Sequence, residues 1–221
     1  MKRSFTILIV LLSLTSAALV TRARAARSTP RVVGVAPYGE SAIEFIGGNE
    51  VNFITERIFG YITHIAGLDD DDLFFSTGEK DERTARFTYF ADQFVTEKHG
   101  AGTLFDLSAP REPLNIFLRA GPGATFDNVF SFGAGRLIAN FDERYRYFST
   151  ALPGGGGTAS ETADLGEEEA HAFSVGGQTV QLGRAEVRYR LQATGTSILA
   201  RPLPFIQANF TLGGDMRLAN P

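Results

Sequence analysis

Cysteine and tryptophan are absent from this chain of 221 residues, and histidine occurs only three times. Without cysteine there is no disulfide, no thiol nucleophile, no zinc–thiolate centre and no lipid-modified cysteine anchor. His64, His99 and His171 lie too far apart for the paired-histidine spacing of a zinc motif such as H-E-x-x-H, so no zinc site and no cofactor is expected. No G-x-S-x-G elbow and no P-loop is present; Ser131 and Ser174 lie near glycines but in no nucleophile turn. The pairs Gly121/Gly123 and Gly133/Gly135 are explained by turns alone. Lysine is scarce as well: Lys2, Lys80 and Lys98 stand against 18 arginines, a bias that reads as GC-rich coding.

Long apolar runs are missing too, with one exception. Lys2 and Arg3 precede an apolar stretch from Phe5 to Val20, and Ala23-Arg24-Ala25 follows as a small-x-small pattern. This predicts a cleavable export signal over residues 1–25. The alternative is a retained anchor, although a run of about 16 residues falls short of the ~18–20 that cross a bilayer. Removing the signal takes away four basic and no acidic groups, leaving 17 basic against 25 acidic ones. Such a balance excludes binding to nucleic acid through its phosphates and adhesion to anionic lipid. The expected location is secreted or periplasmic, with no membrane insertion after cleavage, and a cysteine-free exported chain points to a bacterial source. Oligomeric state is left open.

What the sequence does contain is alternation with a period of two, punctuated by glycine, which predicts an all-β fold. Strands are expected at Arg31–Val35, Ala42–Ile46, Phe59–Ala66, Leu73–Ser76, Ala85–Thr96, Thr103–Leu107 and Leu114–Arg119, with a turn at Lys98-His99-Gly100. In Gly135–Phe148 one face carries Leu137, Ala139, Phe141, Glu143, Tyr145 and Tyr147, and the other is largely polar. A hairpin is expected around Gly176-Gly177, then strands at Glu186–Ala193 and Phe205–Leu212. Pro153–His171 is glycine-rich and then acidic, with almost no bulky apolar residue, and reads as a flexible loop. Together these predict one β domain over residues 26–221, a single antiparallel barrel-like fold with a β-sandwich as the alternative. Glu143 on the apolar row, and strands that are short, argue against a transmembrane barrel.

Few residues offer chemistry. His64 shares a predicted strand face with Ile62 and Ala66, which would aim it into a barrel, and it is the one catalytic candidate. Asp69, Asp70, Asp71 and Asp72 lack the alternating spacing of a calcium loop; they read as a solvated turn, with weak calcium binding as the alternative. Arg144 and Arg146, with Asp142, share one strand face, and Arg188 and Arg190, with Glu186, share another. On an outer wall these would pair with acids across strands; facing inward they would hold a carboxylate or phosphate ligand. The leading functional expectation is an exported, non-enzymatic barrel binding a small apolar or anionic ligand. One alternative is a cyclase or isomerase with His64 or a buried carboxylate as acid–base group, in an architecture similar to the allene oxide cyclase and dirigent barrels. No stretch of the chain carries the motifs of those families, so no residue role is transferred from them. The other alternative is an extracellular structural or adhesive module.

Overall fold

A computed structural model of the chain describes residues 29–219 apart from 53, 102–103, 152–154 and 202–206. The predicted export signal lies outside the described residues. From Arg31 onward the chain forms one compact unit. Its strands are β1 (Arg31–Val33), β2 (Ser41–Asn52), β3 (Thr55–Ile65), β4 (Phe87–Phe94), β5 (Glu97–Ala101), β6 (Leu104–Leu118), β7 (Arg136–Ala151), β8 (Gly156–Ala170), β9 (Ala172–Val175), β10 (Gln178–Leu182), β11 (Arg188–Arg201) and β12 (Gln207–Leu218). The order β4-β3-β2-β12-β11-β8-β7-β6 is antiparallel throughout, and β4 pairs again with β6. That last pairing, from Phe87↔Leu118 to Phe90↔Asn115, closes an eight-strand barrel.

Alternation decides which side chains fill the barrel. On β7, Phe141, Glu143, Tyr145 and Tyr147 are buried while Arg144 and Arg146 are exposed. On β11, Tyr189, Leu191 and Ala193 point inward while Arg188, Arg190 and Gln192 point out. The outward residues of β7, β8 and β11 are mostly Arg, Asp, Thr, Ser and Gln, where a lipid-facing wall would be apolar. Aromatic rings lock the interior: Tyr147 meets Phe210 edge-on at 4.5 Å, and Phe45 meets Tyr89 at 5.6 Å.

Tyr89 reaches across two strands because the glycines there leave room. Gly47 and Gly60 face each other in the β2–β3 register, and a Cβ on either would collide with the Tyr89 hydroxyl and with backbone of the opposite strand.

The segment Pro153–His171 is not the loop its composition suggests. Residues 156–170 are β8, an internal strand bonded to β7 on one side and β11 on the other. Size is complementary at Ala163, which lies opposite Tyr145 and Leu191, while Glu161 lies between Tyr147 and Ala193 and Leu165 lies opposite Tyr189. Hydrogen bonding on both edges, with this complementarity of size, replaces the bulk the segment lacks. Lys98-His99-Gly100 is likewise strand rather than turn, since β5 continues the line of β4 along the first half of β6.

One end of the barrel is plugged. β10 pairs in parallel with β1 and in antiparallel with β9, and Val33, Phe173, Val180 and Leu182 are buried beneath the small sheet. Phe173 packs on Phe87, and the Tyr189 hydroxyl donates to the Gly34 carbonyl at 2.9 Å. Outside β3 and β4 the 119–135 connection lays Phe132 on Phe59 at 5.7 Å, with Phe126 against both. Because the Gly47–Gly60 contact is set by backbone, Gly47→Ala is expected to destabilise the fold by about 1–3 kcal/mol in urea titration; an unchanged midpoint would show that β3 and Tyr89 can shift together to admit the methyl group.

Candidate functional site

The residues singled out in the sequence do not converge. A bulge in β3 leaves Thr63 as an extra residue, because Glu44 pairs with His64 while Phe45 pairs with Ile62. The parity of the strand therefore flips at Thr63. Ile62 and Ile65 are buried, whereas His64 turns outward, half-exposed, to Asp70 at 3.3 Å. His64 is thus not an interior acid–base group. His99 sits exposed on β5, and His171 pairs with Glu169 at 3.2 Å.

Asp70, Asp71 and Asp72 enter a 3₁₀ turn, Asp70–Leu73, preceded by extended Asp69 and anchored by buried Leu73 in place of the strand expected at Leu73–Ser76. Asp70 faces His64, Asp71 takes Lys80 at 2.9 Å, and the Asp72 carboxylate lies against Gly176. Their oxygens diverge, and among the described residues no three His, Asp or Glu side chains are placed to hold a metal ion.

Arg144, Arg146, Arg188 and Arg190 all lie on the outer wall. Arg144, Arg146 and Arg190 line a shallow depression of about 250 Å3 around Asp164, which pairs with Arg190 at 2.7 Å. Arg146 also lies over the Phe148 ring at 4.7 Å. An anion held inside the barrel by these arginines is therefore ruled out.

Two other constellations emerge, back to back on the same strands. The first is a cleft of about 530 Å3 at the end of the barrel opposite the plug. Outward residues from four adjacent strands line it in two rows. Asn209, Glu50, Arg57 and Asp92 form one row, and Gln207, Asn52, Thr55 and Phe94 form the other. Arg57 is held at its centre by Asp92 at 2.8 Å and Glu50 at 3.4 Å, with its guanidinium over the Phe130 ring at 4.3 Å. The fork is pre-oriented, and the charges beside it are of opposite sign.

The second lies one residue out of phase, inside the barrel. Glu56 follows Thr55, and Gln93 lies between Asp92 and Phe94. With Glu143 and Glu161 they form a buried acidic cluster: Glu56 is 0% exposed, Glu143 1% and Glu161 4%. Asn49 Nδ2 donates to Glu56 Oε1 at 2.6 Å, and Gln93 Nε2 donates to Glu143 Oε2 at 2.8 Å. Burial raises all three carboxyls above the ordinary range. It pushes Glu143 up to about 7, and the nearby Glu56 adds to this. Glu161 stands well above its ordinary value, raised by burial and then by Glu143 and Glu56. Tyr145 favours the charged form of Glu56, yet its hydroxyl is in hydrogen-bonding geometry with no partner. Glu56 Oε2, Glu143 Oε1, Gln93 Oε1 and the Tyr147 hydroxyl are also unpartnered. The space remaining beside Asn49, Tyr89, Glu143 and Glu161 is about 10 Å3, room for roughly one water. An apolar ligand does not fit there.

Glu143 was visible in sequence as the lone acid on an apolar row. Glu56 and Glu161 carried no such signal, because one follows a turn and the other lies in the acidic stretch taken for a loop. Comparison of the chain with protein-family models, with curated proteins and with solved structures finds no match in any of the three.

If the Asn49–Glu56 bond holds the cluster in place, Asn49→Leu should cost about 1–3 kcal/mol, since it orphans a buried oxygen. Denaturant unfolding at pH 6 measures this; a neutral result would mean that Glu56 finds another donor.

Proposed function

We propose that the protein is an exported, non-enzymatic binding barrel that takes a small, neutral, hydroxyl-rich ligand in the outer cleft around Arg57. The observation that carries this reading is the contrast between a filled interior and an open cleft of about 530 Å3. The cleft is lined by planar polar groups: the amides of Asn52, Gln207 and Asn209, the carboxylates of Glu50 and Asp92, and one guanidinium. Amides and carboxylates offer donors and acceptors at fixed angles, the chemistry that reads a pattern of hydroxyls. Phe94, largely exposed at the rim, offers an apolar face on which a ring can lie. A single cation already shared by two carboxylates favours neither an anionic ligand nor a second cation. Export rests on the leader over residues 1–25, and the non-enzymatic reading on both cleft carboxylates, Glu50 and Asp92, being engaged in ion pairs with Arg57.

Titration of the 15N-labelled protein with a panel of neutral mono- and disaccharides tests the reading. The expected outcome is saturable shifts confined to Asn52, Arg57, Asp92 and Asn209, with Arg57→Ala and Phe94→Ala each weakening the best sugar about tenfold or more. No saturable shift across the panel, or shifts centred on Arg144 and Arg190 instead, would overturn it.

A further inference from the structure

We propose that Glu56, Glu143 and Glu161 form a proton-storing core that holds the barrel tight in acid and loosens it as the medium turns alkaline. The device is built by geometry. Three carboxyls from β3, β7 and β8 share one interior and, among the described residues, no Lys, Arg or His is buried anywhere in the barrel. β2 supplies Asn49, β4 supplies Tyr89 and Gln93, and β7 adds Tyr145 and Tyr147 to its own Glu143. From β6, β11 and β12 the side chains around the remaining space are apolar: Leu114, Leu191, Leu212 and Met216. Nothing positive is available to balance a negative charge, and an unpaired carboxylate in such surroundings neutralises itself by keeping its proton.

The unpartnered atoms give the cluster a limited tolerance. Tyr145, Tyr147 and Tyr89 are phenols that burial and the nearby carboxyls keep protonated, so they remain donors at any ordinary pH. They can turn to one ionised carboxylate, together with the amides of Asn49 and Gln93. A second charge in the same space has no further donor and meets the first across a medium that screens poorly. The first proton is therefore lost within the closed barrel, and the next ones are lost at the cost of opening it to water.

The direction of the pH effect follows. Each carboxyl binds its proton more tightly in the folded chain than in the unfolded one, so their contribution is complete below the ordinary value of 4.5 and is lost as pH rises toward and beyond neutrality. One carboxyl moved from 4.5 to about 7 biases the folding equilibrium by roughly 300-fold, about 10 °C in Tm for a chain of this size. Glu167 is a separate contributor. It is buried near the plug with neither oxygen partnered, and burial raises it to about 7 as well.

Two measurements on the purified protein test the proposal, neither needing a ligand. Carbon-13 NMR of the glutamate side-chain carboxyls, titrated from pH 4 to 9, should show three carboxyls outside the Glu167 signal that keep their protons to higher pH than the exposed glutamates do. Calorimetry should show Tm falling by about 15 °C or more between pH 5 and pH 8.5, beyond what Glu167 alone accounts for. Glu143→Gln with Glu161→Gln should remove most of that fall, while Glu167→Gln alone should leave most of it. Glutamates that all titrate near 4.5, or a doubly substituted protein with the same pH slope as its parent, would overturn the proposal. If the substituted protein does not fold, the NMR titration of the unaltered chain decides alone.

Discussion

The pairing of β4 with β6 governs the rest of this molecule. Joining β4 to β6 closes eight strands into a ring and gives the interior a fixed number of positions, two residues apart on each strand. Every later feature is a way of filling or covering those positions. Ala163 on β8 admits Tyr145 of β7, the glycines of β2 and β3 admit Tyr89, and the sheet of β1, β9 and β10 covers one end. With the interior this full, shape leaves space for about a single water.

Closure also explains how three glutamates can be inside without a counter-ion. A barrel wall satisfies its own backbone, so the cost of a polar interior falls on side chains alone. A neutral carboxylic acid is then little different from an amide, and here Asn49 and Gln93 meet the acids as donors to acceptors. The unpartnered oxygens that remain mark where this accommodation ends.

How much was legible in the sequence depends on whether the alternation was clean. β7 and β11 were readable because large apolar and charged residues take turns, and the fold class followed from them. β8 hid because the same alternation is written in alanine, threonine and glutamate; averaged composition erased a period that residue-by-residue reading preserves. His64 was misplaced for a different reason. Parity is only as reliable as the absence of a bulge, and the extra residue at Thr63 is fixed by pairing with β2, which the strand does not encode alone. The acidic cluster needed the register of five strands at once. Only Glu143, isolated among Phe141, Tyr145 and Tyr147, could be seen in advance.

The cleft and the cluster share strands but not faces, and that is a physical tie between them. Thr55 and Arg57 face the cleft while Glu56, between them, faces the core; Asp92 and Phe94 face out while Gln93 bonds to Glu143 within. In a pleated strand neighbouring side chains cannot be repositioned independently, because one backbone twist turns both. Whatever displaces Glu56 or Gln93 therefore displaces the fork of Arg57 or its partner Asp92 by a comparable amount. A fully apolar core would have supported the outer cleft just as rigidly. One lined with protonatable acids ties the geometry of that cleft to the proton occupancy of the interior beneath it.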